Sequence, residues 1–499
     1  MENSFSKTGE VNKSFLYAFI FILGVGAVQY GYSIGVYNAM QKDFEHIFGW
    51  KSDEVNLWNG LITSICALGS AVGSLFAGAP ADMYGKKSCI HATNVLLVIG
   101  CSLTLVQNEY WILGGRFLFG LCAGAFSVFV PSFINELAPN ELKGSLGSLT
   151  QILITLGIFI ANAFGLPLPE VAQGLPPTFI NDQYWRVVFG MPIAFALFQS
   201  IMLATLFNYE TPKYLKKHKK EEELQKIMAR IYPLTQIDNR VSQIVIEGAG
   251  SSPGYKETLC HPRYAYATFV GCMLSILQQL SGINAVMFYS SAILGKFGIS
   301  ANIGTAVVGL VNMVSTFPTV WLMDKFGRRS LLWTLSLVQA VLLVGLGVSY
   351  IYVGESNSAK YLAVFFVMAF VVMFELSLGP VPWVYMSETM TERGLSLAVG
   401  LNWIFTIVIG LVTPILLDKI GGYFFIGNGA FTVVCALFCL FIMKETKGLS
   451  AQDVAQLYSK GKKQDNSSGE MLDTGDVDAV VIGQRRSKKY APLEEENAK

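Results

Sequence analysis

Twelve long apolar segments constrain the fold of this chain more than any other feature. Each holds about 20 residues, the length that an α-helix needs to cross the hydrocarbon core of a bilayer. In lipid a segment must satisfy its own backbone hydrogen bonds, and a helix does so. The sequence therefore predicts an all-α membrane protein with twelve transmembrane helices. The segments lie near residues 15–38, 58–80, 89–107, 110–131, 146–166, 186–207, 264–292, 302–323, 330–353, 361–386, 395–416 and 423–443.

The composition agrees with lipid as the solvent. Only 14% of the 499 residues are charged and 52% are hydrophobic, whereas soluble domains carry about 25% charged residues. A net charge of +1 gives no reason to expect a nucleic-acid partner. The sequence has no phosphate-binding loop, no nucleophile–histidine arrangement and no Cys/His spacing of a zinc site. We therefore expect no enzyme, no metal and no cofactor.

Three charged motifs occur twice, in the same order and about 240 residues apart. Such a repeat indicates that a six-helix unit has been duplicated. Duplicated membrane proteins of this kind are typically transporters. The pairs are Asp82–Lys87 with Asp324–Arg329, Glu136 and Lys143-Gly144 with Glu388 and Arg393-Gly394, and Glu210-Thr211 with Glu445-Thr446.

A charged stretch separates the first six segments from the last six. Basic residues fall on one side if the segments alternate, so the positive-inside bias places that side and both termini in the cytoplasm. The first apolar segment is too long for a signal peptide and is interpreted as the first helix. The expected parts are a tail over 1–13, an N-terminal six-helix bundle over 14–212, a linker with short helices over 213–262, a C-terminal bundle over 263–446 and a polar, disordered tail over 447–499.

Charged residues stand at the segment ends on the predicted cytoplasmic side. Ionised groups at the edge of the hydrocarbon are costly unless they are paired or exposed. We expect ion pairs between the two halves that close this side; alternatively, the charges only anchor helix ends. The residues of this predicted charge network are Asp82, Lys87, Arg116, Glu136, Lys143, Glu210, Asp324, Arg328, Arg329, Glu388, Arg393 and Glu445.

Amide side chains inside the apolar segments are candidates for binding a sugar. An amide both donates and accepts hydrogen bonds, as a sugar hydroxyl does. Three of them share the seventh segment, and we expect no comparable cluster in the first half. Amides in membrane helices also join helices to one another, which is the alternative. The candidates are Gln151, Gln278, Gln279, Asn284, Asn312 and Asn402.

Pro380 and Pro382 predict a break in the tenth helix, because proline lacks a backbone N–H and clashes with the preceding turn. Trp383 follows this break. We expect its indole to cover the apolar face of a sugar ring.

Short motifs spread over residues 30–448 point to a known family. They are Gly115-Arg116-Phe117, Val130-Pro131, Glu210-Thr211-Pro212-Lys213, Gln278-Gln279-Leu280-Ser281-Gly282-Ile283-Asn284, Gly379-Pro380-Val381-Pro382-Trp383 and Glu445-Thr446-Lys447-Gly448. Together they resemble the sugar porter family of the major facilitator superfamily, which includes the facilitative hexose transporters. The resemblance implies the major facilitator fold with two six-helix halves. It also implies a small-molecule sugar as substrate, alternating access and a plasma-membrane protein surrounded by lipid and working as a monomer.

The resemblance also bears on the energy source. Proton-driven members carry an Asp, paired with the arginine that corresponds to Arg116, where this chain has Ser33. Serine does not titrate near neutral pH, so we expect uniport of a hexose, with glucose as the first candidate and fructose as the second. A proton-coupled sugar or polyol symporter and a non-transporting sugar sensor are the alternatives.

The resemblance places Glu375 near the sugar. Two other roles stay open for this residue: membership of the charge network, and titration in a proton-coupled mechanism. The first charged motif also departs from the family pattern, since Lys86 and Lys87 replace arginines and cannot form bidentate pairs. We therefore expect that half of the charge network to be the weaker one.

Overall fold

The computed structural model describes residues 11–51, 54–139, 142–167, 183–243, 254–352, 357–449, 454 and 457–458. Residues 1–459 form one compact unit. The predicted disorder of the C-terminal tail lies almost wholly outside the described residues, as does most of the N-terminal tail.

The described residues of the first half form seven helices. The first of them continues ten residues past the predicted end of its apolar segment. Asn12 and Asn108 cap helix N-termini with their side-chain oxygens, which accept backbone N–H groups that the first turn leaves without a partner. The helices are α1 (Lys13–Phe48), α2 (Val55–Phe76), α3 (Gly78–Tyr84), α4 (Lys86–Thr104), α5 (Glu109–Leu137), α6 (Lys143–Ala163) and α7 (Tyr184–Ala204).

The linker contains short helices that pack on the two halves. Helix α9 (Glu221–Ile231) buries Leu224, Ile227, Met228 and Ile231 in the core of the first half; this spacing places them on one helix face. The hydroxyl of Thr268, in the second half, donates to the carbonyl of Thr258 at 3.3 Å. The linker helices are α8 (Pro212–Lys217), α9 (Glu221–Ile231), α10 (Ile237–Gln243) and α11 (Tyr255–Cys260), with a 3₁₀ turn at Leu234–Gln236.

In the part of the second half that the structure describes there are eight helices, because two of its membrane spans are broken. They are α12 (Ala265–Leu280), α13 (Ile283–Lys296), α14 (Ala301–Phe326), α15 (Arg328–Ile351), α16 (Asn357–Glu375), α17 (Val381–Thr389), α18 (Glu392–Ile420) and α19 (Tyr423–Phe441).

The spans match the predicted number. In the described part of the chain, eleven helical stretches are long and apolar enough to cross a membrane, with α12 and α13 forming one of them. Helix α6 is the twelfth span, and its apolar part, Leu149–Ala163, is shorter than the other eleven. The seventh predicted segment is therefore two helices, a break that the apolar pattern did not reveal.

The two breaks have different causes. Between α12 and α13, Gly282 adopts φ +85°, a conformation that L side chains rarely adopt, and a Cβ there would lie 2.5 Å from Nδ2 of Asn428. Between α16 and α17, the predicted break is present, with Pro380 as the N-cap of α17 and Pro382 in its first turn. Proline is tolerated at these positions because their N–H groups have no partner within the helix.

Two helix pairs provide the most extensive contact between the halves, and α1 also packs against α13. Helix α2 packs against α18, and α6 packs against α14. Where α1 and α2 face α18, the rings of Tyr30 and Trp403 lie 5.5 Å apart beside Ala67 and Ala71. Each half otherwise has a hydrophobic core, and Ile158 of α6 belongs to that of the second half. This arrangement leaves the polar groups between the halves as the candidates for function.

We call the two ends of the molecule the basic end and the opposite end. The basic end carries the repeated Asp-x-x-Gly-basic-basic motifs, which precede α4 and α15. The opposite end carries the ends of α1 and α13.

Candidate functional site

Four predicted amides form one continuous chain of hydrogen bonds between α12–α13 and α18. Nδ2 of Asn402 donates to Oε1 of Gln278 at 2.7 Å, and Nε2 of Gln279 donates to Oδ1 of Asn402 at 2.9 Å. Nδ2 of Asn284 then donates to Oε1 of Gln279 at 2.6 Å. Asn284 is half-buried and the other three amides are buried. The structure thus brings together side chains that the sequence places more than 120 residues apart.

The amide chain is joined to the break in the tenth span. Nε2 of Gln278 donates to the carbonyls of Leu378 and Gly379, at 2.6 and 3.4 Å. These carbonyls lie where no helix continues, so a side chain supplies the hydrogen bond. Trp383 is half-buried on α17, just beyond this break. Its predicted contact with a sugar ring stays a prediction.

Glu375, at the end of α16, is the carboxylate of a second cluster. Its Oε1 accepts from Nδ2 of Asn312 at 2.8 Å, and its Oε2 accepts from Thr316 at 3.2 Å and from Nε2 of Gln151 at 3.5 Å. Gln151 belongs to the first half and the other two donors to the second. Glu375 is 2% exposed, and all three donors are uncharged. The described ion pairs of the basic end do not include it.

Arg116 lies far from the basic end, so its predicted place in the charge network is wrong. It is buried in the first turns of α5, about 30 Å from Glu136 at 1.5 Å per residue. Its Nη1 donates to the carbonyl of Ser33 at 3.0 Å and its Nε to that of Ile62 at 3.4 Å. Backbone carbonyls therefore accept the hydrogen bonds of this guanidinium. Within the described part of the chain, no carboxylate forms an ion pair with it.

The ion pairs of the basic end lie within each half. Lys86 pairs with Glu136 in the first half, and Nη2 of Arg328 pairs with Glu388 at 2.9 Å in the second. The expected pairing between halves is therefore not what the described residues show. Nζ of Lys87 donates to the side chain of Asn208. Nε of Arg329 donates to the carbonyl of Cys439. Arg393 is exposed, and its guanidinium lies over the ring of Tyr255. The side chains of Asp82, Lys143 and Asp324 lie outside the described residues.

Glu210 and Glu445 instead cap helices. Glu210 accepts the backbone N–H groups of Lys86 and Lys87, at 3.1 and 3.0 Å, at the start of α4. Glu445 accepts those of Arg328 and Arg329, at 2.8 and 3.0 Å, at the start of α15. A carboxylate at a helix N-terminus is favoured by the helix dipole. Burial raises the pKa of Glu210, and the N–H donors oppose that shift. The charges thus anchor helix ends, which was the alternative expectation.

The opposite end is closed by hydrogen bonds between the halves, which were not predicted. Nδ2 of Asn38 donates to the hydroxyl of Ser290 at 2.6 Å, and the N–H and hydroxyl of Ser291 donate to Oδ1 of Asn38 at 3.2 and 2.9 Å. Nε2 of Gln41 donates to the carbonyl of Phe288 at 2.8 Å. A sequence signal existed: α1 carries polar groups four residues apart, the spacing of one helix face. They are Gln29, Ser33, Tyr37 and Gln41.

The first half has an amide cluster of its own, so the expectation of none there is wrong. Nδ2 of Asn94 donates to Oε1 of Gln199 at 3.1 Å, and Nε2 of Gln29 donates to Oδ1 of Asn94 at 3.4 Å. Nε2 of Gln199 donates in turn to the carbonyls of Ile22 and Leu23, both at 3.0 Å. This cluster joins α1, α4 and α7 inside one half and has the helix-joining role.

Among the described residues, no group of three or more His, Cys, Asp or Glu side chains is placed to hold a metal ion. The polar groups between the halves are amides, hydroxyls and one carboxylate. Such a set suits an uncharged, hydroxyl-rich ligand.

Comparison with known proteins agrees with this chemistry. The sequence model of the family described as sugar (and other) transporter matches residues 19–458. Plastidic glucose transporter 4 of Arabidopsis thaliana is 32% identical over 456 residues, which cover 89% of this chain and 80% of the relative. Facilitated glucose transporter member 3 of solute carrier family 2 from Mus musculus is 28% identical over 476 residues, 90% of this chain and 94% of the relative.

Solved structures show the same fold. The xylose transporter XylE from E. coli, in a partially occluded inward-open conformation, matches with a TM-score of 0.72 at 24% identity, over 88% of this chain and 100% of that one. XylE bound to 6-bromo-6-deoxy-D-glucose matches with a TM-score of 0.73 at 23% identity, over 90% and 100%. The predicted major facilitator fold is confirmed. The chain belongs to the family of sugar (and other) transporters, multi-pass membrane proteins that are not enzymes.

Proposed function

We propose that this protein moves a hexose across the membrane by facilitated diffusion, with glucose as the first candidate and fructose as the second. The observation that carries this proposal is the chain of four amides beside the broken tenth span. A hexose presents a ring of hydroxyls, each of which donates and accepts, and each amide does the same. The relatives whose names refer to glucose transport support a hexose.

The amides already satisfy one another, and this suits a transporter. Binding a hydroxyl exchanges an internal hydrogen bond, such as that from Gln279 to Asn402, for one to the sugar. Such an exchange yields little net free energy. The sugar is therefore held weakly enough to leave on the other side. Asn284, which is half-buried, is the amide best placed to make the first exchange.

Uniport is supported by the surroundings of Arg116. A proton carrier paired with this arginine would need a titratable group, and the guanidinium instead contacts the carbonyls of Ser33 and Ile62. The Ser33 hydroxyl donates to the carbonyl of Tyr30 at 2.7 Å and carries no charge at neutral pH.

Proton-coupled symport is the second candidate, and Glu375 favours it. This buried carboxylate has only uncharged donors around it and contacts both halves through Gln151 and Asn312. A carboxylate in such a place could carry a proton together with a sugar. The solved relative XylE is a proton:xylose symporter.

We further propose that the basic end faces the cytoplasm, that the protein resides in the plasma membrane and that a monomer is the working unit. The Lys and Arg residues at the starts of α4, α8 and α15 support the orientation through the positive-inside bias. The alternative location is a plastid membrane, which the name of the plastidic relative suggests.

Alternating access would follow from rocking of the halves around the amides. The opposite end, closed here by Asn38 with Ser290 and Ser291, would open to admit the sugar. The basic end would then open to release it.

The experiment is uptake of labelled sugars by liposomes that contain the purified full-length protein. We expect saturable uptake of glucose or fructose that the unlabelled sugar inhibits, with little uptake of myo-inositol. Empty liposomes are the control. Absence of saturable hexose uptake would overturn the proposed function, and preference for myo-inositol would overturn the proposed substrate class.

A further inference from the structure

The last described residues of the chain pack onto the basic end of the second half. Val454 and Tyr458 are 7% and 5% exposed, and Tyr458 belongs to the hydrophobic core of this half. On one side its ring lies 5.4 Å from that of Tyr266, in the first turn of α12. Val454 and Tyr458, which follow the last span, are thus buried like the core residues of this half.

Hydroxyl groups form a closed ring of hydrogen bonds at this place. The backbone N–H of Lys444 donates to the hydroxyl of Tyr458 at 2.8 Å, and the hydroxyl of Tyr385 donates to the carbonyl of Lys444 at 3.0 Å. The hydroxyls of Tyr458 and Tyr385 are also hydrogen-bonded to each other. Because the Tyr385 proton goes to Lys444, the Tyr458 proton must go to Tyr385. All three donors and all three acceptors are then satisfied.

The ammonium group of Lys444 strengthens the same contact. Its Nζ donates to the carbonyl of Leu457 at 2.8 Å and lies 5.4 Å from the centre of the Tyr458 ring. The ring of hydrogen bonds and this cation therefore tie residues 457–458 to the end of the last span.

This contact bears on transport because Tyr385 lies on α17. This short helix also carries Trp383, and the break after Glu375 disconnects it from α16. Its other anchors at the basic end are the pair of Glu388 with Arg328 and the hydrogen bond from the Thr446 hydroxyl to Glu388 at 2.6 Å. Besides the packing of its buried Val381, Tyr385 and Met386, these polar contacts help to hold the helix in place.

We propose that Tyr458 is a positioning residue for transport: it fixes α17, and with it Trp383, so that sugar binding from the basic end depends on the segment that follows the last span. This inference rests on the proposed transport function. It assigns a role to one hydroxyl pair, Tyr385 and Tyr458, rather than to the tail as a whole.

The test uses full-length Tyr458→Phe, Tyr385→Phe and the double variant, with Tyr266→Phe as a matched control that also keeps its ring. Hydrogen–deuterium exchange is read in α17 and, as an internal reference, in α4. We expect Tyr458→Phe to speed exchange in α17 about fivefold, the shift expected when the one hydrogen bond between Tyr458 and this helix is lost. Exchange in α4 should not change. The double variant should change exchange by less than the sum of the two single variants, because both single variants remove the hydrogen bond between the two hydroxyls.

The second readout is the KM for the sugar, measured separately from each side of oriented liposomes. We expect Tyr458→Phe to raise the KM about threefold at the basic end and to leave it unchanged at the opposite end, since one neutral hydrogen bond has a modest net worth. Equal changes at both ends, or additive effects in the double variant, would overturn the proposal. Exchange needs no sugar, so faster exchange in α17 without any hexose flux would refute the proposed function and not the contact.

Discussion

At Gly85 and Gly327 the backbone adopts φ +87° so that a carboxylate can reach the first amides of the next helix. A Cβ would lie 2.4 Å from Oε2 of Glu210 at the first glycine and 2.6 Å from Oε2 of Glu445 at the second. Conformation and space therefore both require glycine. Both copies of the duplicated motif therefore keep the glycine that this cap requires. The charges next to the glycine contribute less to the role of the motif.

We expect Gly85→Ala and Gly327→Ala each to lower stability by about 1–3 kcal/mol, because the glutamate must leave the cap and the backbone is strained. The measurement is the midpoint of thermal unfolding in detergent. Gly114→Ala is the matched control, since a Cβ there meets nothing within 4 Å. Equal midpoints for Gly327→Ala and Gly114→Ala would contradict the assigned cap.

Gln279 is the central link of the amide chain. Gln279→Ala leaves Oδ1 of Asn402 and Nδ2 of Asn284 without that partner and removes a group for the sugar. We expect the KM for the transported hexose to rise about tenfold, within the 1–3 kcal/mol of an unpaired buried polar group. The measurement is initial uptake against sugar concentration. The exposed Gln107→Ala is the control. An unchanged KM would move the binding site elsewhere.

Asp43 lies five residues beyond the first span, which ends at Asn38. Burial raises its pKa from 3.8 to about 7, against the opposing effect of Lys42. The folded state therefore binds a proton more tightly than the unfolded state, and stability falls as pH rises from about 4 to 7. We expect Asp43→Asn to remove this loss, so that the variant gains stability relative to wild type by up to about 1.4 kcal/mol per pH unit.

Thermal unfolding at several pH values between 4 and 8 checks this expectation. The exposed Asp238→Asn is the control, and it should follow the wild type at every pH. A constant difference between Asp43→Asn and wild type would contradict the proposed titration.

Sequence reasoning predicted residue types better than residue partners. The amides at Gln278, Gln279, Asn284 and Asn402 were predicted as a group and lie together. Their pairing was not predictable, because it depends on how α12 and α18 are rotated. The wrong prediction for Arg116 conflicts with the alternation of the spans. Because the spans alternate, a residue near the start of the fourth span lies at the opposite end. The caps by Glu210 and Glu445 depend on contacts across more than 115 residues.

At the scale of elements, the second half carries the breaks in the seventh and tenth spans. Proline revealed the break before α17, whereas Gly282 could be recognised only from its φ and its contact with Asn428. Helix α13, which follows Gly282, contacts α1 of the other half at the opposite end. A short helix behind a break can shift without bending a whole span. We therefore assign α13 to closure of the opposite end.

Asn38 is the centre of this closure, with three hydrogen bonds to Ser290 and Ser291. We expect Asn38→Ala to speed hydrogen–deuterium exchange in α13 about tenfold, because the Ser291 N–H and two hydroxyls lose their acceptor or donor. Asn108→Ala is the control: it removes a cap at the same end but contacts α5 alone. Unchanged exchange in α13 would show that other contacts close this end.

At the scale of the whole molecule, duplication gives both halves the same caps and different interiors. Three amides inside the first half, Gln29, Asn94 and Gln199, bond to one another and to the backbone of α1. In the second half, Gln278, Gln279 and the half-buried Asn284 lie on the broken seventh span, and Asn402 of α18 bonds to them. The first half thus resembles a rigid frame, and the second half carries the parts able to move. The repeat in the sequence predicted the symmetry of the ends but not this difference.

Uniport by these two halves is the central claim, and the final distribution of sugar tests it most directly. Liposomes with the full-length protein are given labelled glucose, with and without an inward proton gradient, and the internal concentration is followed to its plateau. We predict that it equals the external concentration in both cases, because a uniporter adds no free energy to the sugar gradient. A plateau above the external concentration under the proton gradient would contradict uniport and direct attention to Glu375.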